Sequence, residues 1–226
     1  MRPPFDRVET WVFDLDNTLY PPSMRLFDQI ERRMTDWVVR QLGVAEAEAD
    51  RLRLHWWDTH GTTLAGLMRE HGTDADAFLD HVHDIDFAPL TPDPGLRAAL
   101  AALPGRRIVY TNGTAPYARR VTAARGIADL FDAFYGVEHA GHHPKPEERA
   151  FRAVFGQDGL DPARAAMFED DARNLFVPAQ MGLVTIHVAP RRGEGAHVQH
   201  HAPDLAAFLR DIPAGGPAGG PEARAP

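Results

Sequence analysis

Two aspartates one residue apart, Asp14 and Asp16, stand where an apolar run stops, in Thr10-Trp11-Val12-Phe13-Asp14-Leu15-Asp16-Asn17-Thr18. Trp11, Val12 and Phe13 predict a buried strand, and a carboxylate at its end is costly unless something pairs with it. Ligands of open α/β sheets bind outside the carboxyl ends of the strands. A carboxylate pair there is a candidate for metal binding and for nucleophilic plus acid–base chemistry. It does not open a calcium loop, which needs glycine at its sixth position and an acid at its twelfth; Leu19 and Arg25 stand there. Taken in isolation, the pair is better read as solvated turn carboxylates.

Three further segments change that balance. Tyr110-Thr111-Asn112-Gly113-Thr114 ends a second apolar run with a hydroxyl, an amide and a glycine before a helix, an arrangement suited to a phosphoryl group. Its plain alternative is an ordinary turn with Thr114 as the helix cap. Lys145 is the single lysine beside 23 arginines, and Pro144 and Pro146 restrict its backbone. A compact ammonium so held suits a fixed positive charge opposite a phosphate, against the plain alternative of a surface lysine. Phe168-Glu169-Asp170-Asp171 places three acids at a strand end. They are either helix-capping acids or oxygen ligands for a hard cation. None of these motifs decides alone. All four fall at carboxyl ends of predicted parallel strands, where one crevice can gather them into a phosphoryl-transfer site.

The elements that must position them follow from periodicity and punctuation. Strands are predicted at Thr10–Phe13, Arg107–Thr111, Ala133–Val137, Ala165–Phe168 and Leu183–Val188. Between the last four lie helices over Pro116–Arg125, Glu147–Phe155 and Ala172–Met181, closed by Gly126, Gly156 and Gly182. Strand and helix in alternation imply an α/β fold, a Rossmann-like parallel sheet with right-handed crossovers. The first connection differs, because Leu26, Ile30, Met34, Trp37, Val38 and Leu42 form a helical stripe closed by Gly43. Further helices are expected over Ala45–His60, Thr62–His71 and Asp74–Val82, and Pro94–Leu103 leads back to the sheet. We therefore expect a core of residues 1–20 and 88–212, a small all-helical cap at 21–87, and a disordered Pro/Gly/Ala-rich tail at 213–226.

Composition bounds the partners. A 226-residue chain can bury a sizeable core, and a net charge of −8 argues against a nucleic-acid backbone or an anionic membrane as main partner. A small phosphorylated substrate stays compatible, since a bound cation can reverse the local sign. No cysteine is present, which removes thiolate catalysis and disulfides. No apolar stretch approaches the ~20 residues of a membrane span, and no apolar signal region leads the chain, so a cytoplasmic location is expected.

With these motifs in order and at these spacings, the chain resembles the haloacid dehalogenase-like superfamily of phosphohydrolases over nearly its whole length. Asp14-x-Asp16-x-Thr18, Thr111-Asn112, Lys145 and Glu169-Asp170-Asp171 match that family's four motifs, and the insertion resembles its C1 type of cap. The resemblance implies that Asp14 attacks phosphorus to form an aspartyl-phosphate, while Asp16 protonates the leaving oxygen and then deprotonates the attacking water. It implies Mg²⁺ between Asp14, the Asp16 backbone carbonyl and Asp170, with Glu169 as the next choice of ligand. Thr111 and Asn112 would hold phosphoryl oxygens and Lys145 would offset their charge. Asp171 would orient Lys145 or cap the helix. Because Asp16 supplies a proton donor, a phosphatase is favoured over a dehalogenase, and a phosphomutase stays open. The division of labour also requires Lys145 to lie nearer Asp14 than Asp16.

The insertion carries Trp56-Trp57-Asp58-Thr59-His60-Gly61-Thr62-Thr63-Leu64. Stacking on Trp56 or Trp57, with His60, Thr62 and Thr63 nearby, would recognise a base or another planar group; equally, both tryptophans could pack in the cap. That segment, Phe13–Pro21 and Val82-His83-Asp84-Ile85-Asp86 resemble the pyrimidine 5′-nucleotidase branch, which implies pyrimidine nucleoside monophosphates as substrates. Sugar phosphates, phosphoglycolate and pyridoxal phosphate are the alternatives, and a catalytically idle phosphate- or Mg²⁺-binding module is the non-enzymatic one. His197-Val198-Gln199-His200-His201 raises a histidine metal site as a minor reading, and His142 and His143 read as loop residues.

Overall fold

A computed structural model describes residues 5–212; the tail expected beyond residue 212 lies outside them. The chain opens with β1 (Thr10–Phe13) and then runs through four helices: α1 (Phe27–Leu42), α2 (Glu46–His60), α3 (Thr63–His71) and α4 (Ala75–Val82). It continues through α5 (Pro94–Ala102), β2 (Arg106–Tyr110), α6 (Ala115–Ala124), β3 (Ala133–Tyr135) and α7 (Glu148–Asp158). It then forms β4 (Ala165–Glu169), α8 (Phe176–Met181), β5 (Val184–Val188), β6 (His200–Ala202) and α9 (Leu205–Arg210).

All strand pairs are parallel, in the order β3-β2-β1-β4-β5-β6. β1, β4 and β5 are buried along their whole length, as strands covered by helices on both faces must be. Alternation along β1 divides the core: Trp11 and Phe13 enter one apolar layer, and Val12 enters the other with Ile108 and Met167. Phe13 stacks on Phe168 of the adjoining strand at 4.7 Å, which fixes the pairing of β1 with β4. From β1 the chain builds outward to β2 and β3, then returns to place β4 on the other side. The carboxyl ends of β1 and β4 therefore flank a topological switch point, the crevice where such sheets bind ligands.

Capping explains the helix starts that position the site. Asp93 accepts from Leu96 N at 2.9 Å with Pro94 in the first turn of α5, and Thr114 accepts from Tyr117 N at 3.3 Å to open α6. Two expectations need correction, and two elements were not foreseen. α7 passes through Gly156 and ends at Gly159, because Gly156 faces open space while Gly159 takes the left-handed conformation at φ 76°. The single helix expected over Ala172–Met181 is a 3-10 turn, Ala172–Leu175, followed by α8; Pro178 has no N–H to bond back to residue 174 across the junction. The short edge strand β6 and α9 carried too little periodicity to be read.

Candidate active site

The residues that follow three strand ends converge. Asp14 follows β1, Thr111 follows β2, Glu169 closes β4 and Asp170 comes next. They line a cavity of about 690 Å³ whose opposite wall comes from α1, α2 and α4. Lys145 reaches the same place from the loop before α7 and is almost wholly buried.

Lys145 is the hub. Its Nζ donates to Asp14 Oδ1 at 2.7 Å, to Glu169 Oε2 at 2.6 Å and to the Tyr110 carbonyl at 3.2 Å, which uses all three ammonium protons. Burial alone would strip the proton, but Asp14 and then Glu169 outweigh it and hold the group charged. The Asn112 side chain fixes the lysine's backbone, accepting from Lys145 N at 2.8 Å and donating to Lys145 O at 3.1 Å. Asn112 is therefore a clamp on Lys145; it also lines the cavity, and one of its two amide protons is committed to the Lys145 carbonyl. Thr111 is buried, and its Oγ1 accepts from Gly113 N at 2.9 Å, which leaves the hydroxyl proton to donate. Gly113 is required by close approach: a Cβ there would come within 2.9 Å of Tyr117 Cδ1 and 3.2 Å of His83 Nε2.

Asp16 has a different environment. Tyr20 and Tyr117 both donate to its Oδ1, at 2.6 and 2.7 Å. Burial and then the charge of Asp14 raise its pKa to about 6, against the opposing pull of the two phenols and Lys145. Burial, followed by Asp16, pushes both phenols far up, so they stay donors. The two neighbouring carboxylates are thus sorted by their partners: Asp14 bonds an ammonium, whereas Asp16 bonds neutral hydroxyls. Neither tyrosine was singled out from the sequence. Tyr20 stood inside the Phe13–Pro21 segment, but nothing in a linear reading places Tyr117, 101 residues away, beside Asp16.

The acidic loop resolves residue by residue. Glu169 serves Lys145 and also accepts from Asn174 Nδ2 at 3.1 Å. Asp171 caps the following turn, accepting from Arg173 N at 3.0 Å, and does not reach Lys145. Asp14, Glu169 and Asp170 bring carboxylate oxygens within 4.8 Å of one another. Burial and then Asp14 raise the proton affinity of both Glu169 and Asp170, the signature of a site crowded with negative charge. Such an all-oxygen cluster fits a small hard cation. Both Glu169 oxygens are engaged, Oε2 by Lys145 and Oε1 by Asn174, whereas Lys145 engages Asp14 through Oδ1. His187 on β5 bonds the Asp170 carbonyl at 2.8 Å through Nε2 and accepts from Gly193 N at 2.9 Å, which fixes its tautomer and the loop.

The insertion divides its candidates. Trp56 is fully buried and does not line the cavity; it packs under Gly66, where a Cβ would fall 2.1 Å from Trp56 Cγ. Its neighbour Trp57 lines the cavity and carries the Arg173 guanidinium 3.5 Å from its ring. His60 is turned away from the cavity toward Glu70 at 2.9 Å and Arg69 at 3.1 Å. Thr62 and Thr63 do line it, although Thr62 also caps α3 by accepting from Ala65 N at 3.1 Å. Neither His142 nor His143 lines the cavity. The histidine-rich segment is structural: His201 bonds the Ala189 carbonyl at 2.7 Å and His200 packs against Phe5 and Phe208.

A parallel sheet with a carboxylate, a saturated lysine and an acidic cluster at its switch point defines a class of α/β hydrolytic protein. The chain belongs to the haloacid dehalogenase-like hydrolase family, whose family model matches residues 8–182. It is 28% identical over 195 residues to phosphate metabolism protein 8 of Saccharomyces cerevisiae, covering 77% of this chain and 60% of the yeast protein's length. It is 26% identical over 239 residues to enolase-phosphatase E1 of Frankia alni, covering 92% of this chain and 97% of that protein. The fold superposes on a phosphatase of the same family from Thermococcus onnurineus with a TM-score of 0.63 at 17% identity, over 92% of this chain and 99% of the other. Among the described residues no helix is long and apolar enough to cross a membrane.

Proposed function

We propose that the protein is an Mg²⁺-dependent phosphomonoesterase that works through an aspartyl-phosphate, with a pyrimidine nucleoside 5′-monophosphate as substrate. The observation that carries the reaction is the sorting of the two aspartates. Asp14 is ion-paired to the Lys145 ammonium at 2.7 Å and stands at the strand end facing the cavity. Asp16 is buried beside Asp14, and burial followed by that charge raises its proton affinity against the pull of the two phenols. An Asp14 oxygen attacks phosphorus, the bond to the leaving oxygen breaks, and Asp16 gives that oxygen its proton. Asp16, now a carboxylate, takes a proton from water, whose oxygen attacks phosphorus and releases phosphate from Asp14. A halide would leave without a proton, so Asp16 supports phosphate-ester rather than carbon–halogen chemistry.

Asp14, Asp170 and the Asp16 backbone carbonyl are the groups we assign to Mg²⁺, which supplies positive charge to the phosphoryl oxygens. The Thr111 hydroxyl and the backbone N–H groups of the turn after it would hold those oxygens. Lys145 acts on them as a nearby charge, since its donors are already committed. The helices between residues 21 and 87 act as a cap over a core of residues 1–20 and 88–212, enclosing the leaving group. Trp57, Thr62 and Thr63 on the cap wall suit a planar base with polar edges, and the size of the cavity suits a nucleotide.

Phosphate release across nucleotides, sugar phosphates and pyridoxal phosphate tests both levels, with Asp14→Asn as control and Mg²⁺ added or chelated. Turnover should require Mg²⁺ and fall by about 10⁴-fold or more in the variant. Equal rates in variant and wild type would sink the enzymatic reading. Pyrimidine monophosphates ranking low would sink the substrate while leaving the reaction.

A further inference from the structure

The end of the cavity remote from Asp14 has no cation free to meet an anion. Among the described residues two cationic side chains line the cavity, Lys145 and Arg53. Every donor of Lys145 is spent on protein acceptors. Arg53 donates to Thr35 Oγ1 at 2.7 Å and Asp50 Oδ1 at 3.0 Å, and faces Glu31 at 3.4 Å, so two carboxylates already match its charge; its Nε has no partner but is itself buried, closed to a ligand in the cavity. His83, at the boundary with the turn after β2, is a neutral ring, because burial and then Arg120 lower its pKa to about 3. Glu31 and Asp28 stand on the same side of the cavity, and Asp28 is paired outward with the exposed Arg25. The remaining wall is hydrocarbon: Phe27, Ile30, Met34, Phe78 and Leu79.

We propose that this end of the cavity selects phosphomonoesters whose leaving group carries no negative charge, and rejects those bearing a carboxylate or a second phosphate. The inference rests on the phosphatase reading of the site. An anion moved here loses its water, gains no counter-charge and faces Glu31, whereas an uncharged planar or aliphatic body meets apolar walls that favour it. Selection is by exclusion as much as by attraction. It separates nucleosides and neutral sugars or alcohols from phosphoglycolate and bisphosphates, all of which the catalytic residues alone would accept.

Matched pairs test this with the full chain and Mg²⁺. Uridine and orotidine 5′-monophosphate differ by one carboxylate on the base, and glycerol 3-phosphate and 3-phosphoglycerate by one on the chain. The uncharged-leaving-group member should be favoured at least ~30-fold in kcat/KM, and in calorimetric binding to the Asp14→Asn protein. Glu31→Gln releases part of the positive charge of Arg53 and should narrow both ratios by about threefold or more. An unchanged ratio in that variant overturns the role given to the Glu31–Arg53 pair. Turnover without preference, or preference for the carboxylated member, overturns the selection. Preference in binding without any turnover keeps the selection and removes the phosphatase reading, and absence of binding to all four compounds removes both.

Discussion

The two ends of the cavity are built on opposite plans. At the sheet end each polar group is another's partner: Asn112 clamps Lys145, Lys145 joins Asp14 to Glu169, and Asn174 holds Glu169 from behind. At the helical end the wall is hydrocarbon with a few polar groups, and Arg53 is tied back into its own helices. The contrast teaches how one fold fixes chemistry while leaving recognition adjustable. Interlocked charges tolerate almost no change, because removing one strands another in a buried place. An apolar wall changes by volume and shape, in increments of a methylene at a time.

The largest effect at the sheet end, after loss of the nucleophile, is expected from Asp16. Asp16→Asn should slow hydrolysis of alkyl phosphates by about 10²–10⁴-fold, the usual worth of a positioned acid. An aryl phosphate such as p-nitrophenyl phosphate, whose leaving oxygen needs no proton, should lose much less in its first step. Burst and steady-state rates on both esters measure this, and an equal loss on both would remove Asp16 from proton transfer. Tyr20→Phe belongs to the same comparison at smaller scale, because it takes one of two hydroxyls from the same Asp16 oxygen.

Lys145→Met breaks the interlock. It leaves Asp14 and Glu169 buried together without a counter-charge, a defect that costs about 3–5 kcal/mol. Urea denaturation without Mg²⁺ should show that loss, and adding Glu169→Gln should restore part of it by removing one stranded charge. A Lys145→Met protein as stable as wild type would mean that the cluster is far less tightly coupled than its geometry indicates.

The helical end responds differently, and the adjacent tryptophans sharpen the contrast. Trp56→Ala empties a core position beneath Gly66 and should cost about 3–5 kcal/mol of stability. Trp57→Ala gives up one exposed stacking contact with Arg173, worth about 1 kcal/mol or less, and should register in KM. Thermal unfolding beside nucleotide kinetics separates them. If Trp56→Ala changed KM with stability intact, the assignment of the two rings would be reversed.

These tryptophans also show what a linear reading could and could not reach. Asp14, Thr111 and Asp170 could be picked out because chemistry concentrates at strand ends, which are marked by a sharp change from apolar to polar residues; Lys145, on a loop, stood out as the single lysine between two prolines. The parallel order of the sheet then brings those ends together. Trp56 and Trp57 carry no such mark, since neighbours on a helix point about 100° apart and only the packing of α2 on α3 decides which turns inward. Tyr117 was out of reach for a related reason: its hydroxyl meets Asp16 where α6 comes against the loop after β1, a tertiary event with no local signature. Among Glu169, Asp170 and Asp171 the reading was less complete: it offered capping for Asp171 but did not give Lys145 to Glu169. Three consecutive acids differ only in direction, and direction depends on where β4 ends.

The smallest expected effect lies on the boundary between the two ends, at His83. Its ring stacks on Tyr117 at 4.2 Å, and it is kept neutral by burial and then by Arg120. The folded pKa of about 3 lies below the ordinary value of 6.5, so between those limits the unfolded chain binds the extra proton. Stability from this group is therefore present above pH 6.5 and drains away as pH falls, by at most ~1.4 kcal/mol per pH unit. His83→Asn deletes the titration. The variant should be less stable than wild type at pH 7.5, where it lacks the stacked ring, yet should lose stability more slowly from pH 6.5 to 4.5. Carboxylates contribute to both curves, so the difference between the two slopes is the quantity to read from urea midpoints. Parallel curves would show that His83 takes up its proton in the folded protein as readily as in the unfolded chain, and so is charged below about pH 6.5. The wall beside Tyr117 would then carry a positive charge, and the contrast between a charged sheet end and an uncharged helical end would lose one of its supports.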